Sequence, residues 1–156
     1  DQAGDEDIGG LAGDNDGYIK NSYFVGSAVG RDSIAGIAGD SDGNPNGGGV
    51  IMNSYSIGTL SASTSILDSY PIYIGGVLGV AENLASITNS YYSDSSLISC
   101  SHIDGPSDCI INTVGETFET DLKNPSWSGY SAWDFSTIWE FRPGVNNDYP
   151  ILRWQT

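Results

Sequence analysis

The sequence predicts an all-β chain built as a short β-solenoid, and three observations predict it. Three segments of one pattern recur along the chain. The apolar runs are short and alternate in polarity, and no stretch sustains a 3.6-residue period. Glycine fills 21 of 156 positions, which suits tight corners and close approach of strands.

The first segment is IGGLAGDNDGYIKNSYFVG, about residues 8–26. The second is IAGIAGDSDGNPNGGGVIMNSYSIG, about 34–58, and the third is IGGVLGVAENLASITNSYYSD, about 74–94. Each opens on an apolar residue and a glycine-rich G-[LIV]-x-G core. A polar turn follows, then an apolar strand, then Asn-Ser-Tyr. The triplet recurs at 21–23, 53–55 and 89–91, with a DSY echo at 68–70. Units this small cannot bury a face alone, so they are expected to stack. Strict alternation places Ile19, Asn21, Tyr23 and Val25 on one face, and Ile51, Asn53, Tyr55 and Ile57 on the same face of the next unit. The Asn side chains would then form a ladder. The alternative architecture is a β-sandwich, since seven or more short strands can also pair that way.

Residues 1–113 form the expected repeat region and 114–156 a closing segment of the same domain. Glycine thins there, and all four tryptophans appear: Trp127, Trp133, Trp139 and Trp154. The stretch 114–126 suits one or two helical turns, with acids early and Pro125 at its end. A solenoid exposes core and unpaired backbone at its ends, so the aromatic tail is expected to cap it. The rival reading makes Trp127 and Trp133 a platform that stacks on a glycan.

Charge narrows the partners. Five Lys and Arg stand against 20 Asp and Glu, a formal net charge of −15. That excludes a phosphate-binding face, hence nucleic acid, and a polybasic contact with anionic lipid. No apolar run is long enough to insert in a membrane as a helix. The chain opens at Asp1 without Met, as expected of a processed piece that has lost a leader or of an excised one. Cys100 and Cys109 flank the turn-rich SHIDGPSD and are expected to close a small disulfide loop in an oxidising compartment; free thiols are the alternative. Two cysteines and the lone His102 do not make a zinc framework.

GGLAGDNDGYIKNSYFVG resembles a GLUG motif, the repeat of bacterial surface and secreted proteins; GIAGDSDG…GVIMNSYSIG and GGVLGVAENLASITNSYYSD resemble further copies. TFETDLKNPS, WDFSTIWEF and GVNNDYPILRWQ resemble the segment that often closes such repeats. The resemblance implies an extracellular or cell-surface adhesin-like protein, a β-helical fold and no catalytic activity of the repeat itself. The expansion around Asn44–Gly49, the third unit's VAENLA turn and the cysteine loop depart from the pattern.

Asp14-Asn15-Asp16-Gly17 and Asp40-Ser41-Asp42-Gly43 both read D-x-D-G. Alternate carboxylates can converge on a hard cation, so Asp14, Asp16, Asp40 and Asp42 are candidate calcium ligands. Position 12 is Val25 in one run and Ile51 in the other, so neither is an EF-hand loop. The simpler reading is a turn that happens to be acidic, and no cofactor is required. Nucleophilic catalysis lacks support, because the single histidine sits in the cysteine loop. No phosphate loop, dinucleotide fingerprint or metallopeptidase signature is present. The expected function is a non-enzymatic extracellular module of an adhesin, stalk or surface filament. It would associate with itself or with neighbouring domains, and its ligand would be a glycan or host surface. The alternative is a carbohydrate-binding module or accessory domain of a secreted enzyme.

Overall fold

A computed structural model describes residues 7–43, 47–63, 72–93, 98–103 and 109–155, with 98–103 and 109–116 described by their backbone. The DSY echo and the first half of the Asn44–Gly49 expansion lie outside these residues. Two six-stranded parallel sheets dominate the molecule. One contains β1 (Asp7–Gly9), β2 (Ala12–Asp14), β5 (Ser33–Ala35), β6 (Ala38–Asp42), β9 (Tyr73–Glu82) and β11 (Ile98–Ile103). The other contains β3 (Tyr18–Lys20), β4 (Tyr23–Gly30), β7 (Val50–Met52), β8 (Tyr55–Ala62), β10 (Ala85–Tyr92) and β12 (Cys109–Glu116). The chain crosses from the first sheet to the second and back, once per repeat.

The register matches the alignment of the three segments. Ile8 pairs with Ile34 and Ile34 with Ile74; Ile19 pairs with Ile51 and Ile51 with Ile87; Tyr23 pairs with Tyr55 and Tyr55 with Tyr91. β11 and β12 add a further layer, with Leu78 opposite Cys100 and Ile87 opposite Ile111. The fold is therefore all-β. Among the described residues every pairing in the two large sheets is parallel.

Between the sheets lies a core of Ile37, Ala38, Ile51, Val77, Leu78, Ala81, Ala85 and Ile87, joined by Ile19, Phe24 and Tyr92. The sheets approach closely where the glycine-rich core faces the residue after Asn-Ser-Tyr. A Cβ on Gly10, Gly36 or Gly76 would stand 2.3 Å from Phe24, Ser56 or Tyr92 respectively. Any larger residue there would push the sheets apart.

Strict alternation fails at the triplet. Asn21, Asn53 and Asn89 are all left-handed, with φ of 49°, 49° and 47°. Asn tolerates this region better than other residues that carry a Cβ. Each of these residues interrupts the extended backbone and resets which side faces in. Ile19, Ile51 and Ile87 thus point into the core, whereas Tyr23, Tyr55 and Tyr91 point to the opposite side. The expected Asn ladder forms between the second and third units, where Asn89 Nδ2 donates to Asn53 Oδ1 at 3.4 Å. Serine supplies a second ladder. Ser54 Oγ accepts from Ser22 N at 3.2 Å, and Ser90 Oγ accepts from Ser54 N at 3.3 Å.

The tail lies along the flank of the stack instead of closing an end. Leu122, Tyr130, Trp133, Trp139, Tyr149 and Leu152 pack on Tyr55, Ile57 and Tyr91, with Tyr23 at the margin. The difference follows from the reset at Asn: it turns the tyrosines outward, and an outward aromatic row needs a cover. The tail holds one short helix, α1 (Glu119–Leu122), one turn of the two allowed over 114–126; residues 114–116 instead finish β12, which runs past residue 113. A two-stranded ribbon, β13 (Trp139–Glu140) with β14 (Ile151–Leu152), completes it.

Candidate binding surfaces

The first D-x-D-G is the corner between β2 and β3. Asn15 points inward and is buried, while Asp14 and Asp16 point out. Asn15 Nδ2 donates to Ser41 Oγ at 3.0 Å, Ser41 Oγ donates to the Asn15 carbonyl at 3.1 Å, and Asn15 Oδ1 accepts from Gly17 N at 3.3 Å. The middle residue therefore builds the turn and ties it to the next repeat. In the second D-x-D-G, Asp40 to Asp42 end β6 and Gly43 follows it, so Asp40 and Asp42 are strand residues and not a corner.

Parallel register sets these acids in rows. Asp14 stands opposite Asp40, and Asp42 opposite Glu82. Asp42 Oδ1 accepts from Asn83 Nδ2 at 2.8 Å. Asp40 is half-buried. Desolvation lifts its carboxyl to about 7; the Ser41 N–H bond opposes this, and the charges of Asp7, Glu82 and Asp14 add to it. Among the described residues no three His, Cys, Asp or Glu side chains are grouped to hold a metal ion. Asp14 and Asp40 thus stand side by side on one sheet with Asp42 further along β6, and Asp16 lies in the corner that follows β2. Cys100 lies in β11 and Cys109 in β12, and the disulfide expectation concerns side chains outside those described.

The expected aromatic platform is used in packing. Trp133 is 6% exposed, and its indole N–H donates to the Asn89 carbonyl at 3.0 Å. Its ring lies 4.6 Å from that of Trp139. Trp127 is half-buried, edge-on to Tyr91 at 4.6 Å and to Tyr130 at 5.0 Å. Trp133 packs on Tyr55 and Tyr91 of the outward row, and Trp127 on Tyr91 of that row and Tyr130 of the tail.

The exposed indole is Trp154, 77% accessible, in the final 3-10 turn Arg153–Gln155. It walls an open groove of about 540 Å³ between the first repeat and the tail, lined also by Leu11, Tyr23, Val25, Asn146 and Gln155. Gln155 Oε1 accepts from Tyr23 O–H at 3.0 Å and from Leu152 N at 2.9 Å. Asn146 Nδ2 donates to Tyr55 O–H at 2.9 Å, and that hydroxyl donates to the Pro150 carbonyl at 2.7 Å. Sequence reasoning passed over Trp154, since nothing local distinguishes it from the three packed tryptophans.

No protein-family model, curated protein or solved structure gives a significant match to this chain. Among the described residues no helix is long and apolar enough to cross a membrane.

Proposed function

We propose that this chain is a non-enzymatic structural and adhesive module of a bacterial surface protein. In this reading it is a short β-solenoid of GLUG-type repeats, exported to the cell surface or beyond, and a segment or subunit of an adhesin, stalk or filament. One observation carries the reading: equivalent residues of successive repeats pair in parallel register, the Asn-Ser-Tyr triplets above all. Such a stack grows by adding layers, and its terminal strands present backbone edges to a further layer. Leu11 and Val25 in the first layer are 44% exposed, whereas Ile57, the neighbour of Val25, is 8% exposed. That apolar step supports association with a neighbouring domain or a second copy through the layer edges.

Sedimentation velocity over a wide concentration range, with electron micrographs of the same samples, tests the filament-subunit form. End-to-end rods growing with concentration are expected. Monodisperse monomers throughout, with and without calcium, would overturn it. Calcium itself enters only as a proposed ligand of the aspartate rows; a melting temperature unmoved by calcium would end that idea.

A further inference from the structure

The groove beside Trp154 lies in a chain whose surface is dominated by carboxylates, yet none of its lining residues is charged. The neighbouring Arg153 is turned away, with its guanidinium held by Glu140 and by the Phe135 carbonyl. The indole stands out from the surface with a face open to solvent. Two primary amides are held in place by bonds to the tyrosine row: Gln155 through its oxygen, Asn146 through its nitrogen. The Gln155 nitrogen and the Asn146 oxygen are then the groups that meet a ligand, one donor and one acceptor. The volume falls in the range of small-ligand sites.

We propose that this groove is a subsite for a neutral saccharide. A sugar ring offers an apolar face of C–H groups, carrying partial positive charge, to the negative face of the indole. Its hydroxyls both donate and accept, as the Gln155 nitrogen and the Asn146 oxygen require. The absence of a lining cation argues against a uronic acid or sulfated sugar, and the net charge of −15 repels such anions at low ionic strength. Side chains do the recognition here. A second copy stacking on the layers would use the strand edges and would also cover Leu11 and Val25, which line this groove. The inference deepens the adhesive reading by naming the ligand class, and it places that ligand on Trp154 in place of Trp127 and Trp133.

Titration of the full chain with short cello-, manno- and galacto-oligosaccharides, followed by calorimetry and tryptophan fluorescence, tests it. At least one neutral series is expected to bind and to shift the emission of the exposed indole to shorter wavelength. Trp154→Ala should weaken that binding at least tenfold without moving the melting temperature, and Trp154→Tyr should retain part of it. Oligogalacturonate should bind more weakly at low salt. No binding by any neutral series, or binding unchanged in Trp154→Ala, overturns the proposal. Self-association lost in Trp154→Ala, without sugar binding, assigns the groove to a second copy and also overturns it. Rods that persist when sugar binding fails would sink this inference alone and leave the structural reading standing.

Discussion

The repeat stack and the tail reach stability by different means. In the stack, the three aligned units repeat one set of contacts: parallel backbone pairing, an Ile in the core, an Asn at the reset and serines bonded between units. In the tail, regular pairing is limited to Trp139–Glu140 against Ile151–Leu152. Its order comes from large rings pressed on one another, with Trp139 against Tyr23, Tyr55 and Trp133 at centroid distances of 6.2, 6.0 and 4.6 Å. A repeated contact spreads its energy over layers, whereas a ring cluster concentrates it in a few side chains. The two regions should therefore respond differently to single changes.

The largest effect is expected in the tail. Trp139 is fully buried, and Trp139→Ala should cost about 3–5 kcal/mol, as large-to-small core changes do. Loss of near-ultraviolet ellipticity ahead of the β signal in denaturant would show the tail leaving the stack. A single transition unchanged from the parent would break the contrast. In the stack, Asn53→Ala should cost about 1–2 kcal/mol, since alanine tolerates the left-handed backbone poorly. Asn53→Gly should cost much less, because glycine adopts that backbone freely. Equal losses from the two variants, measured by urea unfolding, would show that the side-chain ladder and not the backbone matters.

A further effect sharpens the comparison through pH. Asp40, between layers of the stack, titrates near 7 in the folded chain against an ordinary 3.8. Between these values the native state holds a proton that the unfolded chain has released. Stability from this group is therefore full at low pH, falls as pH rises from about 4 to about 7, and is level above that. The melting temperature should drop less between pH 5 and pH 8 in Asp40→Asn than in the parent. Identical drops would mean that the acid rows do not set the pH response.

Much of the fold was legible. The alignment of the three units predicted which residues stand opposite one another, because parallel stacking puts repeat-equivalent residues in register. The turn at Asn15 was also readable, since Asn and Gly between apolar runs mark a corner. The face assignment was not, because counting in twos assumes unbroken extended backbone, and one left-handed residue cancels it. Asn at 21, 53 and 89 was the available signal for that break. The exposed indole was hardest to read, since Trp127, Trp133 and Trp154 differ only in what folds over them.

By itself the sequence determined a β chain of short parallel-stacking units, their register and the acidic character of their outer rows. These follow from local pattern and repetition, which act over a few residues. Only the tertiary structure decided that the tyrosines turn outward, that the tail runs along them and that Trp154 is the indole left in solvent. Those outcomes depend on contacts between residues as far apart as Tyr23 and Gln155, which no local pattern encodes.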